Sequence, residues 1–138
     1  MKLFLDANIL ISVFNNEYPL FTYSSRILSL TDNKKFEVYT SPLCLAIAYY
    51  FAEKKSGGNL AKQKITLLSQ KIKIAAQTET CVKESLSNKK IHDFEDGMQY
   101  YAAIHAKCKC IVTQNVDDFY FSEIKILDAK SFLEQTFL

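Results

Sequence analysis

A chain of 138 residues, 49% hydrophobic and 23% charged, can bury one core and is too short for two, so residues 1–138 read as a single folded domain. Its three glycines, Gly57, Gly58 and Gly97, supply no Gly-rich phosphate-binding turn, and His92 and His105 stand too far apart for a zinc-binding HExxH helix. The net charge of +2 is carried by lysines with Arg26 as the single arginine, which suits diffuse attraction to polyanions better than base reading.

Taken in chain order, Lys2–Asp6 is a short apolar strand, followed by helices over Ile9–Phe14 and Leu20–Leu30 that are separated by a turn at Pro19. Phe36–Thr40, with β-branched and aromatic residues, is a second strand. Ser41-Pro42 is a helix start, with serine as N-cap and proline at the first position, and that helix runs to about Lys55. Ser56-Gly57-Gly58-Asn59 is the one linker-like stretch, ahead of an amphipathic helix over Leu60–Ser69. A weak strand at Ile72–Ala75 precedes a helix at Thr78–Leu86. A strongly periodic helix then runs from Asp93 to about Lys107, with Phe94, Met98, Tyr101, Ala102 and His105 on one face. Strands at Cys110–Thr113 and Ile124–Leu127 follow, and Asp128 caps a last helix through Phe137. Strands separated by helices pair in parallel through crossovers, so the fold class is α/β, a three-layer α/β/α sandwich. In such sheets ligands gather beyond the carboxyl ends of the strands.

Cys44, Cys81, Cys108 and Cys110 read as reduced thiols of a cytoplasmic protein, because Asp6 follows Met1-Lys2-Leu3-Phe4-Leu5 too soon for a secretory apolar segment. His105, Cys108 and Cys110 can be drawn as a soft-metal cluster, but a fourth ligand is missing nearby. The longest apolar stretch, Pro42 to Ala52, is too short to span a bilayer. Because that helix is apolar almost all round, it is either deeply buried or an association surface, for a homodimer or for a partner's hydrophobic tail.

Carboxylates remain as the carriers of chemistry. Asp6 emerges from the first strand at the rim of the sheet, where it serves as a helix N-cap or as a site acid; Asn8 beside it can take the capping role. Asp93-Phe94-Glu95-Asp96 opens the strong helix. Asp93 as N-cap and Asp96 at the third position resemble a capping box, and Asp96 is the acid that capping requires least. Thr113-Gln114-Asn115-Val116-Asp117-Asp118-Phe119 follows another strand and reads as a turn or as a second delivery of carboxylate to the rim. Asp6, Asp96 and Asp118 come from three elements that the fold can bring together. Hard oxygen ligands without histidine or cysteine suit Mg²⁺ or Mn²⁺, and point to metal-dependent phosphodiester hydrolysis.

The order and spacing of Leu3-Phe4-Leu5-Asp6-Ala7-Asn8-Ile9-Leu10, Asp93-Phe94-Glu95-Asp96-Gly97-Met98-Gln99-Tyr100-Tyr101-Ala102-Ala103 and Thr113-Gln114-Asn115-Val116-Asp117-Asp118-Phe119 resemble PIN-domain proteins of the VapC toxin type. The resemblance covers essentially the whole chain. It implies a parallel sheet of about five strands and Mg²⁺- or Mn²⁺-dependent endoribonuclease activity as the toxin of a toxin–antitoxin pair. It further implies that Asp6 and Asp96 match metal-binding positions, that Asp118 is a further acid, and that Thr113 and Asn115, with Asn8, are polar supports. RNA and an antitoxin protein are the implied partners.

The chain departs from the family on the helix after the second strand, where Ile47 stands in place of a glutamate and the next acid, Glu53, lies nearly two turns on. Asp93, one turn before Asp96, is the candidate to compensate. A rival reading is therefore a PIN-like scaffold that binds RNA or protein without cleaving. A haloacid-dehalogenase-like phosphatase using Asp6 fits less well, since its second aspartate would fall on Asn8.

Overall fold

In the computed structural model, which describes residues 1–137, five strands and seven α-helices form a three-layer sandwich. The first strand, β1 (Lys2–Leu5), places Leu3, Phe4 and Leu5 out of contact with solvent, as expected of a strand covered on both faces. It is flanked by β2 (Glu37–Thr40) and β4 (Cys110–Val112), with β3 (Lys73–Ile74) and β5 (Lys125–Leu127) at the edges. The order is β3-β2-β1-β4-β5 and every pairing is parallel.

The helices divide into two groups. Packing runs continuously through α1 (Ala7–Phe14), α2 (Leu20–Leu28), α3 (Pro42–Ser56), α4 (Gly58–Lys71) and α7 (Ala129–Phe137), whereas α5 (Glu79–Ser87) and α6 (Phe94–His105) pack on each other. α5 and α6 belong to the crossover that returns from β3 to β4, and the right-handedness of such crossovers sets them on the opposite face. Phe4, Ile9, Leu10, Ile27, Ile111 and Phe132 form the fully buried centre. The N-caps follow the sequence: Ser41 Oγ accepts from the Cys44 amide at 3.0 Å, and Asp128 Oδ1 from the Ser131 amide at 2.7 Å. The strand at Ile72–Ala75 shortens to two residues.

Of the two readings its composition offered, deep burial does not hold for helix α3. Cys44, Ala48 and Ala52, four residues apart, form a narrow buried stripe, while Tyr50 and Phe51 are about half exposed. The soft-metal cluster drawn at His105, Cys108 and Cys110 does not form. His105 turns instead to Glu84 (Nε2 to Oε1, 2.8 Å) and to the Cys81 thiol (3.5 Å from Nδ1). Cys108 and Cys110 are buried, and burial pushes their thiols up to about 12 and about 11. No helix among the described residues is long and apolar enough to cross a membrane.

The sheet order has one feature that locates function. From β1 the chain moves outward one way through β2 and β3, then returns to place β4 on the other side of β1. The point of reversal leaves a crevice beyond the carboxyl ends of β1 and β4, the place where open α/β sheets bind ligands. Gly97 lets α6 approach α5 closely, because a Cβ there would lie 2.9 Å from Ser85 Cβ and 3.1 Å from Ile91 Cγ2. Gly97→Ala is expected to force α5 from α6 and cost about 1–3 kcal/mol, the usual penalty of overpacking, read as a lowered urea midpoint at unchanged slope.

Candidate active site

Asp6 is the first residue past β1. Its amide still bonds the Val112 carbonyl at 3.0 Å, so the sheet itself fixes the backbone. Its carboxylate is 8% exposed and accepts hydrogen bonds from the Ala7 amide (Oδ1, 2.8 Å) and the Thr113 hydroxyl (Oδ2, 2.8 Å), with the Cys44 thiol 3.8 Å away. Asp6 is thus both N-cap of α1 and a carboxylate of the crevice; the two readings are not exclusive.

Thr113, buried at the end of β4, organises the surroundings of Asp6. Its oxygen accepts from Asn8 Nδ2 and from the Asn115 amide, each at 3.1 Å. With two donors already aimed at it, the hydroxyl has its single hydrogen left for Asp6. Asn8 Oδ1 in turn accepts from the Gln114 amide at 3.0 Å, which clips the start of α1 to the loop after β4. Asp118 lies in the 3₁₀ turn Val116–Phe119 of that loop, its amide bonded to the Asn115 carbonyl, and Phe119 anchors the turn in the core. Asn115, Asp117, Asp118 and Asp128 line a cleft of about 360 Å³.

The third contribution comes from α6. Asp93 caps the helix, its Oδ1 accepting from the amides of Glu95 (2.9 Å) and Asp96 (3.3 Å). Among the described residues Asp96 makes no reciprocal bond to the Asp93 amide, so the capping box is only half formed and the Asp96 carboxyl is left to face the crevice. Its carboxyl is pushed from the ordinary 3.8 up to about 7, first by burial and then by the charges of Asp93, Asp6, Asp118 and Glu95. Asp6 is raised chiefly by burial, against the lowering effect of its hydrogen bonds, with Asp118 adding to the rise. Glu95 is raised by burial and by Asp93 and Asp6. The acids from β1, the loop after β4 and α6 therefore feel one another, and none of them takes part in an ion pair among the described residues.

The residues present fit a hard divalent ion in one respect and limit it in another. An unneutralised group of carboxylates is the donor chemistry that Mg²⁺ or Mn²⁺ takes. Yet among the described residues no three His, Cys, Asp or Glu side chains are gathered closely enough to hold an ion by themselves. That matches an ion bound through one or two carboxylates and completed by water, as Mg²⁺ commonly is.

Comparison with known proteins adds the family. A PIN-domain family model matches residues 2–117. The chain belongs to the PIN-domain family. A PIN-domain relative, Ribonuclease VapC1 of Aquifex aeolicus (strain VF5), is 26% identical over 137 residues, covering 97% of this chain and 94% of its own. The solved VapBC2 of Rickettsia felis, bound to a DNA fragment from its promoter, superposes with a TM-score of 0.69 at 18% identity, over 93% of this chain and 98% of the other. VapBC-1 of nontypeable Haemophilus influenzae gives 0.70 at 19% identity, over 94% and 99%. VapC20 of Mycobacterium tuberculosis, a sarcin-ricin loop cleaving toxin, gives 0.68 at 13% identity, over 87% and 95%. These solved PIN-domain structures share the fold of this chain.

Within this PIN-domain crevice one expectation holds and one feature is new. Glu53 does not reach the acids: it lies beside the Tyr49 hydroxyl and the backbone of Gly58 at the junction of α3 and α4, while Ile47 packs on the core. Beneath Asp96 lies a polar network absent from the sequence reading. The Ser41 hydroxyl donates to Gln99 Oε1, and Gln77 Nε2 donates to the Met98 carbonyl (3.3 Å) and Gln99 Oε1 (3.4 Å). The available signal was Gln99 itself, a polar residue three positions from Asp96 on an otherwise apolar helix face.

Two measurements follow from these contacts. Thr113→Val removes the donor to Asp6 and strands the donors of Asn8 and Asn115; a loss of about 1–3 kcal/mol in urea unfolding is expected, with the Asp6 carboxyl raised further in a carbon-detected titration. For Asp96, a folded value above the unfolded one means that its contribution to stability is present below pH 3.8 and lost as pH rises through about 7. Asp6 and Glu95 act with the same sign. Wild-type protein in chelator is expected to lose stability between about pH 4 and 7, and Asp96→Asn to flatten much of that slope in urea midpoints taken across the range.

Proposed function

We propose that this chain is a metal-dependent endoribonuclease of the VapC kind, the toxin member of a toxin–antitoxin pair, with Mg²⁺ or Mn²⁺ as its ion. The observation that carries this reading is the gathering of acids at the switch point of the sheet, where burial first and neighbouring carboxylates second raise Asp6, Asp96 and Glu95, Asp118 adds charge, and no ion pair among the described residues neutralises the group. Asp6, Asp96 and Asp118 are the proposed metal-site acids, of which one or two would bind the ion directly and the rest act through its bound water, with Asp93 their neighbour in charge and Asn8, Thr113 and Asn115 their supports. A bound divalent ion supplies Lewis-acid polarisation and charge neutralisation to a phosphodiester.

The chain's own groups divide the remaining work. Asp6 is held still by the Ala7 amide and Thr113 hydroxyl, so its free lone pairs keep a fixed direction. Asp96, raised to about 7 by burial and by the neighbouring acids while no ion is bound, is the carboxyl whose ionised form a divalent cation would stabilise most. The relatives named as VapBC complexes support an antitoxin as partner, and the exposed Tyr50 and Phe51 of α3 offer apolar area to a protein partner or a second copy. The free, buried thiols of Cys44, Cys81, Cys108 and Cys110 support a reducing, cytoplasmic setting.

Ile47 favours one alternative, a domain that binds RNA without cutting it. The two separate in one assay. Single-stranded RNA incubated with protein and Mn²⁺ is expected to be cleaved internally, chelator is expected to stop cleavage, and Asp6→Asn or Asp96→Asn to lower kcat by about 100-fold or more. Cleavage indifferent to both substitutions would refute the assignment, and absence of cleavage under either metal would favour the binding domain.

A further inference from the structure

Beside the acids lies a feature that neither the fold nor the carboxylate site requires. Tyr120, two residues after Asp118, is 58% exposed, and its ring is stacked on that of the exposed His92, the residue before Asp93, with centroids 5.8 Å apart and planes 30° from parallel. The stack thus bridges the two segments that deliver Asp118 and Asp96, where the 3₁₀ turn packs on α6. It is held in place. The Tyr120 hydroxyl donates to the Lys90 carbonyl, its ring meets Phe121 edge-on at 5.4 Å, and Phe121 rests edge-on against the buried Tyr100 at 5.1 Å. The next cations along the chain, Lys89 and Lys90, are exposed.

We infer that the His92–Tyr120 stack is a platform for one base of a single-stranded RNA whose backbone passes the acids. This rests on the nuclease reading above and assigns the contact that seats its substrate. Two chemical reasons favour it. A crevice of unpaired carboxylates repels phosphates, so affinity must come from contacts indifferent to that charge, and base–aromatic stacking is such a contact. A fixed, solvent-facing aromatic pair also loses little freedom on binding, whereas a mobile side chain would have to be ordered first. Lys89 and Lys90 then meet the phosphate on the far side of the stacked base, which adds salt-sensitive affinity without sequence preference. His92 and Tyr120 are positioning residues; the chemistry stays with the acids.

The test uses the full chain and a short oligoribonucleotide containing 2-aminopurine, titrated in chelator so that binding is read without cleavage. Tyr120→Ala and His92→Ala are each expected to weaken binding by about 5- to 100-fold, and the double variant to do little worse than either. Tyr120→Phe keeps the ring while losing the hydroxyl, and is expected to restore most of the affinity. The same variants assayed for cleavage should raise KM while leaving kcat close to wild type. Binding unchanged in both alanine variants would overturn the platform, as would a Tyr120→Phe variant as weak as Tyr120→Ala, which would reduce Tyr120 to a loop anchor. If wild-type protein cleaves RNA and the alanine variants match it in binding and KM, the platform alone falls. If wild-type protein neither binds nor cleaves RNA, the nuclease reading falls with it.

Discussion

The Thr113 hydroxyl sits between two donors and one acceptor, and the direction of its hydrogen is the constraint on which the crevice depends. Asn8 and the Asn115 amide occupy its lone pairs, so it donates to Asp6 and ties together the end of β1, the start of α1 and the loop after β4. Those segments are more than a hundred residues apart in the chain at their extremes, yet two parallel strands side by side bring them into one hydrogen-bonded unit. The loop that carries Asp118 inherits its position from that unit. So does the cleft beside it, since Gln114 Oε1 also accepts from the Ala129 amide at the start of α7, at 3.0 Å.

Against this ordering works the repulsion among the acids. Burial first and neighbouring carboxylates second push Asp96 up to about 7 and raise Asp6 and Glu95. A fold tolerates such an arrangement only where the surrounding packing over-determines it. Here the packing is the close approach of α5 to α6 at Gly97, the Asp93 cap, and the Ser41–Gln99–Gln77 network under the first turns of α6. The Gly97 contact and the polar network fix the helix without using the charges at its tip, whereas the Asp93 cap uses one of them. Stability is thereby spent on holding like charges together, which is the pattern of a site rather than of a core.

Much of this was legible in the sequence, for identifiable reasons. The apolar run Leu3-Phe4-Leu5 ending in Asp6, the Ser41-Pro42 start and the Asp93 cap are local signals, read from residues within one turn of each other, and the structure contains each of them. Element ends drifted where end signals were weak: α4 extends to Lys71, and the segment after Leu28 tightens into a 3₁₀ turn. What the sequence withheld was of another kind. The fate of His105 depended on α5 lying against α6, and the stack of His92 on Tyr120 joins residues from separate loops. Neither has a local signature. Nor could composition separate the buried stripe of α3 from its exposed aromatics, because both are apolar; only the small size of Cys44, Ala48 and Ala52 tells which side faces a neighbouring helix.

Ile47 shows why the fold and the chemistry must be weighed apart. Isoleucine at position 47 serves the fold, since its side chain packs on the core, but it brings none of the oxygens that the glutamate expected there would supply. In the proposed nuclease, fewer carboxylates would leave an ion more dependent on water and on the substrate's own phosphate oxygens to complete its coordination. Under the proposed function, an ion held in that way would bind well only once the nucleic acid is seated. Contacts that seat the chain without help from charge then gain importance, and the rigid aromatic pair beside the acids is the contact of that kind this molecule presents.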